Sequence, residues 1–313
     1  MKVRIGIVGY GNLGKATECE VLKNSRYKLV AIFSRRLVSS KFGTTIEPYE
    51  NYLLYKNKID VMLLCGSSKN DLEPQTKELA QHFDCINTFD NHSKILSHLQ
   101  SLEKITTTSR HRAIVSCGWD PGLFSIIRAL FYSATKQSPH TFWGKGMSLG
   151  HSDAVRRVAG VDDGVQFTIP NNEAVKLARQ NKLTSSTPKH FRECFVTTTS
   201  QDKSKIENDI KNIPNYFKGQ PVSVKFVSPQ ELLKLKSNTS HQGQIVSKSF
   251  DEECLEFKVK MKSNPIFTAK IMTRYVEAIS QLKAKESYGA FTPLDIPVSY
   301  LFENRELLIT KFC

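Results

Sequence analysis

The chain has 313 residues, of which 40% are hydrophobic and 24% are charged, and its 44 Lys and Arg against 30 Asp and Glu give a net charge of +14. This composition is typical of a folded globular protein and excludes a chain that is disordered throughout. The length favours two packed domains over one large core.

The basic surplus is spread along the chain. Residues 1–118 carry 17 Lys and Arg against 11 Asp and Glu, and the remainder carries 27 against 19. Nucleic-acid-binding proteins usually gather such charge in basic blocks interleaved with aromatic residues, and the sequence has no such block. We therefore expect no nucleic-acid partner.

Targeting and metal-binding signals are weak. Apolar stretches such as residues 61–65 fall far short of the roughly 20 residues that a membrane-spanning helix needs. The apolar run over residues 5–8 is too short for a signal-peptide core, so we expect a cytoplasmic protein with no membrane partner. The seven cysteines lack CxxC or zinc-ligand spacing, and His140 and His151 lack ligands at metal-binding spacing, so we expect reduced thiols and no metal.

The predicted elements of residues 1–118 alternate between short β-branched runs and helical patterns. This alternation is typical of βαβ units with a parallel sheet. The predicted strands are residues 3–8, 28–33, 60–65, 85–89 and 113–117. We therefore predict a Rossmann-type dinucleotide-binding domain over residues 1–118.

The pattern changes after residue 118. Apolar and polar residues alternate over 222–226 and 255–261, which predicts half-exposed strands of a mostly antiparallel sheet. Asn264 followed by Pro265 indicates the start of a helix with one apolar face. The prediction for the whole chain is an α/β protein with three segments: the dinucleotide-binding domain over 1–118, an α+β substrate-binding and dimerisation domain over 119–263, and a C-terminal region over about 264–313 that packs back on the first.

A glycine-rich motif follows the first predicted strand and opens a helical pattern. In GxGxxG motifs, the first two glycines permit a tight turn and close approach of the backbone to a pyrophosphate, and the third permits close helix packing. The strand-turn-helix context is the one that this motif requires. We predict cofactor contacts from its residues: Gly9, Tyr10, Gly11, Asn12, Leu13 and Gly14.

The residues after the second predicted strand indicate which dinucleotide binds. NAD sites usually have an acidic residue there, whereas this chain has Ser34, Arg35 and Arg36. A hydroxyl and two guanidinium groups suit a 2′-phosphate, so we expect NADP(H), although a solvated basic turn is the alternative. Ser67 and Ser68 follow the third strand, where they either contact the phosphate or ribose or cap the next helix.

Two aspartates follow the next predicted strands. Asp90 lies after the fourth strand and Asp120 after the fifth, so a parallel sheet would bring both carboxylates to the edge where ligands bind. A carboxylate pair beside a hydride acceptor suits a substrate with an amine, because it can hold an ammonium group and accept its proton. Alternatively, Asp90 caps a helix and Asp120 starts a turn before Pro121.

A set of motifs, in the same order along the chain, resembles the meso-diaminopimelate dehydrogenase family. The motifs are GYGNLG, FSRR, TFDNH, GWDPG, HTFWG, GHSDAVRR, QFTIP and KSNPIFTA. The resemblance implies reversible, NADP-dependent oxidative deamination of meso-2,6-diaminopimelate at its D-centre, which yields L-2-amino-6-oxopimelate and ammonium. It also implies a role in lysine and peptidoglycan precursor synthesis and a homodimer or higher homo-oligomer.

The resemblance assigns roles to individual residues. It implies that Asp90 and Asp120 hold the reacting amine and that Trp119 lies beside it, and it leaves open which aspartate accepts the proton. The other residues implied to bind substrate are Trp143 and, at the distal end, Thr168, Arg192, His241 and Asn264. That end carries its own amine and carboxylate, which an Arg fork and neutral donors would select.

Each distal residue also has a structural interpretation. Asn264 suits a helix N-cap, Thr168 suits a strand, and Arg192 suits an exposed surface. The neighbours of His241 suggest an exposed loop, and Gln242 stands where the family commonly has glycine. Two alternative functions stay open: an NADP-dependent dehydrogenase or reductase of another amino acid, and a non-catalytic NADP-sensing protein.

Overall fold

The structure is a computed structural model that describes residues 2–238 and 240–313, so that Met1 and Thr239 lie outside it. Its strands are β1 Val3–Val8, β2 Tyr27–Ser34, β3 Ile46–Pro48, β4 Val61–Leu64, β5 Asp84–Asn87, β6 Arg112–Ile114, β7 His140–Trp143, β8 Gly146–Met147, β9 Asp163–Pro170, β10 His190–Thr197, β11 Val222–Phe226, β12 His241–Lys248, β13 Cys254–Met261 and β14 Gly289–Phe291.

The α-helices are α1 Asn12–Leu22, α2 Leu72–Leu79, α3 Ile95–Ser109, α4 Leu123–Thr135, α5 Leu149–Arg156, α6 Asn172–Arg179, α7 Lys203–Lys211, α8 Pro229–Ser237, α9 Asn264–Ala284 and α10 Arg305–Phe312. Short 3-10 helices cover Tyr49–Tyr55, His92–Lys94 and Val298–Leu301. In the part of the chain that the structure describes, none of the helices has the length and apolar character needed to cross a membrane.

The first of two compact units comprises residues 2–126 and 265–313. Its sheet is parallel, with the strand order β3-β2-β1-β4-β5-β6-β14. The apolar central strands are covered on both faces, because core clusters lie on either side of the sheet. The order over β1 to β6 is that of a Rossmann fold, and it reverses between β1 and β4, where ligands of such sheets bind.

The strands predicted for this sheet are present within a few residues, and two of them end early for a local reason. β5 ends at Asn87 because the Asn87 side chain accepts a hydrogen bond from the backbone N–H of Phe89 and turns the chain. β6 ends at Ile114 because Ser116, two residues later, has φ +64°, which an extended strand does not contain. The prediction missed β3 and β14, whose three residues each carry little pattern.

The long helix α9 packs on the sheet of the first unit. Its buried residues Met272, Tyr275 and Ile279 share a core cluster with Ile5 and Ile7 of β1. Helical spacing predicted a single apolar face, whereas every residue of 275–279 is buried, so this stretch of the helix is enclosed on more than one side. A segment that is distant in sequence therefore completes the core of this unit.

The second unit comprises residues 127–238 and 240–264 of the described chain, and it has two sheets there, with strand orders β11-β10-β9-β8 and β13-β12-β7. The sequence predicted one mostly antiparallel sheet. Antiparallel pairs join β8 to β9, β9 to β10, β7 to β12 and β12 to β13, whereas β10 and β11 pair in parallel. β11 is parallel to β10 because α7 lies between these two strands and returns the chain to the same end of the sheet.

The turn between β1 and α1 depends on two glycines. Gly9 has φ +89°, a conformation that residues with a side chain rarely adopt. A Cβ atom on Gly14 would lie 2.1 Å from the carbonyl oxygen of Gly9, so only glycine lets the first turn of α1 pack on this loop. Gly11, by contrast, has φ −84°, and a Cβ atom there would meet nothing within 4 Å.

Two buried histidines are held in the neutral form. Burial lowers the pKa of His98 to about 4. Burial, with a contribution from the positive charge of Arg192, lowers the pKa of His190 to about 3. The Nε2 atom of His190 accepts a hydrogen bond from the backbone N–H of Trp143 at 2.8 Å, which requires that this nitrogen carry no proton. Both rings therefore resist protonation while the protein is folded.

We expect Gly14→Ala to lower the free energy of unfolding by about 1–3 kcal/mol, because the loop or the helix must move to relieve the contact with Gly9. Gly11→Ala is the matched control, since its backbone angles suit alanine, and its free energy of unfolding should stay within about 0.5 kcal/mol of the wild type. Urea unfolding of both variants measures the difference. Equal losses in the two variants would contradict the role given to Gly14.

The free energy of unfolding should also decrease as the pH is lowered below 6.5, the ordinary pKa of histidine. Unfolded histidines bind protons near that pH, whereas the folded rings do so only near pH 4 and pH 3, so the unfolded state binds more protons in between. At pH 5 each histidine should lower the free energy of unfolding by about 2 kcal/mol. Urea unfolding at pH 7 and pH 5 measures the loss. His98→Gln should remove the share of His98, and an unchanged loss in that variant would refute its contribution.

Candidate active site

A cavity of about 520 Å³ lies in the first unit, where the chain leaves β1, β2 and β4. This is the point at which the strand order reverses. Seven of the residues predicted to contact the cofactor line it: Gly9, Tyr10, Gly11, Ser34, Arg35, Arg36 and Ser67. The remaining residues of the glycine motif, Asn12, Leu13 and Gly14, form the first turn of α1.

The glycine turn leaves backbone groups open to a ligand. Among the described residues, no side chain caps the start of α1 at Gly11, so the N–H groups of its first turn remain available to an anion. The space beside Gly11 lets a ligand approach the backbone closely. Tyr10 lines the cavity with its backbone, since its ring is buried and its hydroxyl bonds to Glu18. These features fit a pyrophosphate.

The turn after β2 presents two guanidinium groups to the cavity. The Ser34 hydroxyl accepts a hydrogen bond from the backbone N–H of Arg36 at 3.1 Å and so shapes this turn. Arg35 donates to the Asp71 carboxylate at 2.6 Å, and the other oxygen of Asp71 accepts from the backbone N–H of Ser67 at 2.9 Å. Arg35 and Arg36 are both exposed at the cavity, where a 2′-phosphate could pair with them.

Ser68 differs from Ser67 in its surroundings. Its hydroxyl accepts a hydrogen bond from the backbone N–H of Asp90 at 3.0 Å, and it does not line the cavity. The sequence left open whether Ser68 contacts the cofactor or caps the next helix. The structure gives it another contact, which ties the loop after β4 to the loop after β5.

Asp90 and Asp120 lie on loops that follow neighbouring strands. β5 and β6 are parallel and adjacent, so both loops leave the same edge of the sheet. Asp90 is exposed, and Asp120 is partly buried in a turn closed by the hydrogen bond from the Gly118 N–H to the Pro121 carbonyl at 3.0 Å. Trp119 in this turn is 7% exposed. The turn thus carries a partly buried carboxylate and, one residue earlier, a buried indole ring that packs on Phe124.

In the second unit, Thr168 and Arg192 face each other across β9 and β10. The Arg192 guanidinium donates to the Thr168 hydroxyl at 2.5 Å. Its Nε atom is buried without a hydrogen-bond partner, and burial lowers the pKa of Arg192. No acidic side chain within residues 2–238 and 240–313 pairs with this cation, so the arrangement favours an anionic ligand.

His241 lies at the start of β12, not in an exposed loop as its neighbours suggested. It is 7% exposed, and its ring covers Gly146, where a Cβ atom would lie 2.2 Å from the ring. Gly146 pairs with Thr168, so His241 and Thr168 lie close to the same backbone segment. The Nδ1 atom of His241 bonds to the backbone carbonyl of Gln242 at 2.8 Å, a contact that does not use the Gln242 side chain.

Trp143 and Asn264 complete the predicted set. Trp143 ends β7, and its ring stacks on His190 with the centroids 5.3 Å apart. Asn264 begins α9 and is partly buried. His190 was missed in the sequence, although it stands two residues before Arg192 on the same face of β10, which the strand alternation could have indicated.

No group of three or more His, Cys, Asp or Glu side chains in the described ranges could hold a metal ion. Asp71 is a second residue that the sequence prediction missed. Its link to Arg35 spans 36 residues, so no local pattern indicates it.

Comparison with known proteins identifies relatives over nearly the whole chain. The family model described as the diaminopimelic acid dehydrogenase C-terminal domain matches residues 118–263. The chain is 40% identical to the meso-diaminopimelate D-dehydrogenase of Ureibacillus thermosphaericus, over 96% of this chain and 95% of that protein.

Solved structures agree. The DAP dehydrogenase of C. glutamicum in complex with DAP is 35% identical, with a TM-score of 0.93 over 100% of this chain and 99% of that one. An engineered D-amino acid dehydrogenase bound to NADP+ is 34% identical, with a TM-score of 0.89 over 100% of both chains. Identity at this level over the full length goes beyond a shared fold: the chain belongs to the meso-diaminopimelate D-dehydrogenase family.

Proposed function

We propose that this protein oxidises meso-2,6-diaminopimelate at its D-centre. Diaminopimelate, NADP+ and water yield L-2-amino-6-oxopimelate, ammonium, NADPH and a proton, and the reaction is reversible. The oxo product cyclises to tetrahydrodipicolinate, so the reaction belongs to lysine and peptidoglycan precursor synthesis. Family membership over nearly the whole chain supports this activity.

The partly buried cation of Arg192, whose Nε atom is fully withdrawn from water, is the observation that carries the choice of substrate. Among the described residues, this guanidinium donates only to the Thr168 hydroxyl, so it keeps donors for a carboxylate. Diaminopimelate has a carboxylate at its distal end, and ordinary amino acids with one carboxylate do not. Arg192 and Thr168 therefore bind the distal carboxylate, with His241, Asn264 and Trp143 as further substrate contacts.

The cofactor is NADP(H), and the residues around the cavity fit it. The backbone of Gly9 to Gly11 and the start of α1 hold the pyrophosphate, while Arg35 and Arg36 neutralise the 2′-phosphate. Ser34 and Ser67 add hydroxyl groups to the same lining. When bound, NADP+ supplies the acceptor for the hydride that leaves the D-centre.

Asp90 and Asp120 act on the reacting amine. Two carboxylates hold the ammonium group by charge-assisted hydrogen bonds, which orients the D-centre. One of them, directly or through water, accepts a proton from the amine and frees its lone pair. Trp119 precedes Asp120 in the same turn, and its buried ring keeps water out of the part of the turn that it fills.

We assign the second unit to substrate binding and to assembly of a homodimer. Large apolar side chains are exposed on this unit, and an interface would bury them: Leu130, Tyr132, Leu149, Phe191, Leu233 and Phe250. The domain boundaries at 118 and 263 and the cytoplasmic location stay predictions from the sequence.

Light scattering of the purified protein should give about twice the chain mass of 35.4 kDa. The expected reason is that an isologous interface on the second unit buries the exposed apolar side chains. A mass of one chain at micromolar concentration would contradict the dimer.

The experiment that tests the activity follows NADPH absorbance with meso-, LL- and DD-diaminopimelate and with D-amino acids that lack a distal carboxylate. We expect turnover of the meso isomer, a preference for NADP+ over NAD+, and rejection of the monocarboxylic amino acids. Equal turnover of monocarboxylic D-amino acids would indicate a dehydrogenase of another substrate. Tight NADPH binding with no turnover would indicate a sensing protein.

Arg192→Met tests the proposed contact with the distal carboxylate in the same assay. We expect kcat/KM for meso-diaminopimelate to fall by about 100-fold or more, mostly through KM, with NADPH affinity unchanged. Arg179→Met is the control, because Arg179 lies in the same unit but forms an exposed pair with Glu256. A similar loss in the control, or no loss in Arg192→Met, would contradict the substrate assignment.

A further inference from the structure

The side chain of Asn87 lies between the two loops that carry Asp90 and Asp120. Asn87 ends β5 and is 0% exposed. Its Oδ1 atom accepts a hydrogen bond from the backbone N–H of Phe89 at 3.0 Å and another from the backbone N–H of Ser116 at 3.2 Å. One amide oxygen therefore holds both loops.

Two further hydrogen bonds join the same loops. The backbone carbonyl of Asn87 accepts from the Cys117 N–H at 2.8 Å, and the Ser116 hydroxyl donates to the Phe89 carbonyl at 2.8 Å. Ser116 has φ +64°, a conformation that persists only where the surroundings hold it. The path of the chain from Ser116 towards Asp120 thus depends on these bonds.

The other end of the Asn87 amide fixes its orientation. Nδ2 donates to the Thr76 hydroxyl at 2.9 Å and faces the Nε2 atom of His98 at 3.4 Å. The Thr76 hydroxyl gives its one hydrogen to the Leu72 carbonyl at 2.5 Å, so it must accept from Asn87. The amide nitrogen therefore donates to the Thr76 hydroxyl, and the amide oxygen must face the two loops.

We infer that Asn87 is a positioning residue, which sets the placement of Asp90 and Asp120 without contacting substrate. The inference rests on the proposed role of the two aspartates. A buried amide with both ends satisfied is rigid, and loops held by it keep a fixed separation. Loss of the oxygen would let both loops relax, and small errors in the placement of reacting groups lower rates strongly.

The test compares two ends of one side chain. Asn87→Leu removes the bonds to the loops, and Thr76→Val removes an acceptor at the opposite end while leaving Oδ1 in place. We expect kcat for meso-diaminopimelate to fall by about 10- to 100-fold in Asn87→Leu, with NADPH affinity unchanged. In Thr76→Val we expect kcat within about threefold of the wild type, even at a comparable loss of melting temperature. Equal losses of kcat in both variants would show a merely structural role and overturn the inference.

Asn87→Asp tests rescue by a similar group. A buried carboxylic acid keeps one oxygen for the Phe89 and Ser116 N–H groups and can donate its proton towards Thr76. It should recover most of the kcat that Asn87→Leu loses. If Asn87→Leu does not fold, Ser116→Ala replaces it, since it removes only the hydroxyl bond to Phe89. A wild-type kcat in Ser116→Ala together with a lost kcat in Asn87→Asp would overturn the inference.

Tryptophan fluorescence tests the placement of the Asp120 loop without relying on enzyme turnover. In a Trp143→Phe background, Trp119 is the remaining tryptophan of the two in the sequence, and it lies in the turn that carries Asp120. Asn87→Leu should shift its emission to longer wavelength and raise its quenching by acrylamide. Thr76→Val should leave both unchanged. Identical emission in all three proteins would overturn the inference.

Asp120→Asn separates failure of this inference from failure of the proposed function. If Asp120→Asn and Asp90→Asn both keep the wild-type kcat while Asn87→Leu alters Trp119 emission, the assignment of the aspartates fails and the positioning of the loops stands. If the aspartate variants lose kcat while Asn87→Leu keeps both kcat and emission, the proposed function stands and the positioning role fails.

Discussion

The parallel pairing of β1, β4, β5 and β6 is the constraint on which the predicted chemistry depends. Parallel neighbours end at the same edge of a sheet, so the glycine turn, the serine loop and the loops of Asp90 and Asp120 leave it side by side. The pairing is driven by apolar side chains buried on both faces of the sheet. Residues that take no part in the chemistry therefore determine which polar groups meet.

The strand ends give only a coarse placement, and hydrogen bonds between neighbouring loops refine it. Asp71 joins Arg35 to the Ser67 loop, and the Ser68 hydroxyl joins that loop to the Asp90 backbone. Asn87 then joins the Asp90 loop to the loop of Asp120. These hydrogen bonds form a chain along the sheet edge. The turn that carries Arg35 is therefore linked to the loops of Asp90 and Asp120 through Asp71, Ser68 and Asn87, which need not touch a ligand.

What the sequence could predict was local. The glycine motif, the basic turn after β2 and the buried strands show their properties within a few residues, and the structure has them where they were expected. Asp71 and Asn87 act through partners far along the chain, Arg35 for Asp71 and Ser116 for Asn87, and no short stretch of sequence reveals such pairs. His241 was expected in a loop because of its sequence neighbours. Its strand conformation comes from pairing with Met261 of β13, twenty residues later, which those neighbours do not reveal.

Burial, more than net charge, decides what the basic residues of this protein can do. Arg35 and Arg36 are exposed, so solvent and salt screen their attraction for a phosphate. Arg192 is largely withdrawn from water and its Nε atom has no partner among the described residues, so a carboxylate that reaches it meets little screening. A surplus of 14 positive charges is thus compatible with a small-molecule enzyme, because the cation that we propose binds the substrate is largely withdrawn from the surface.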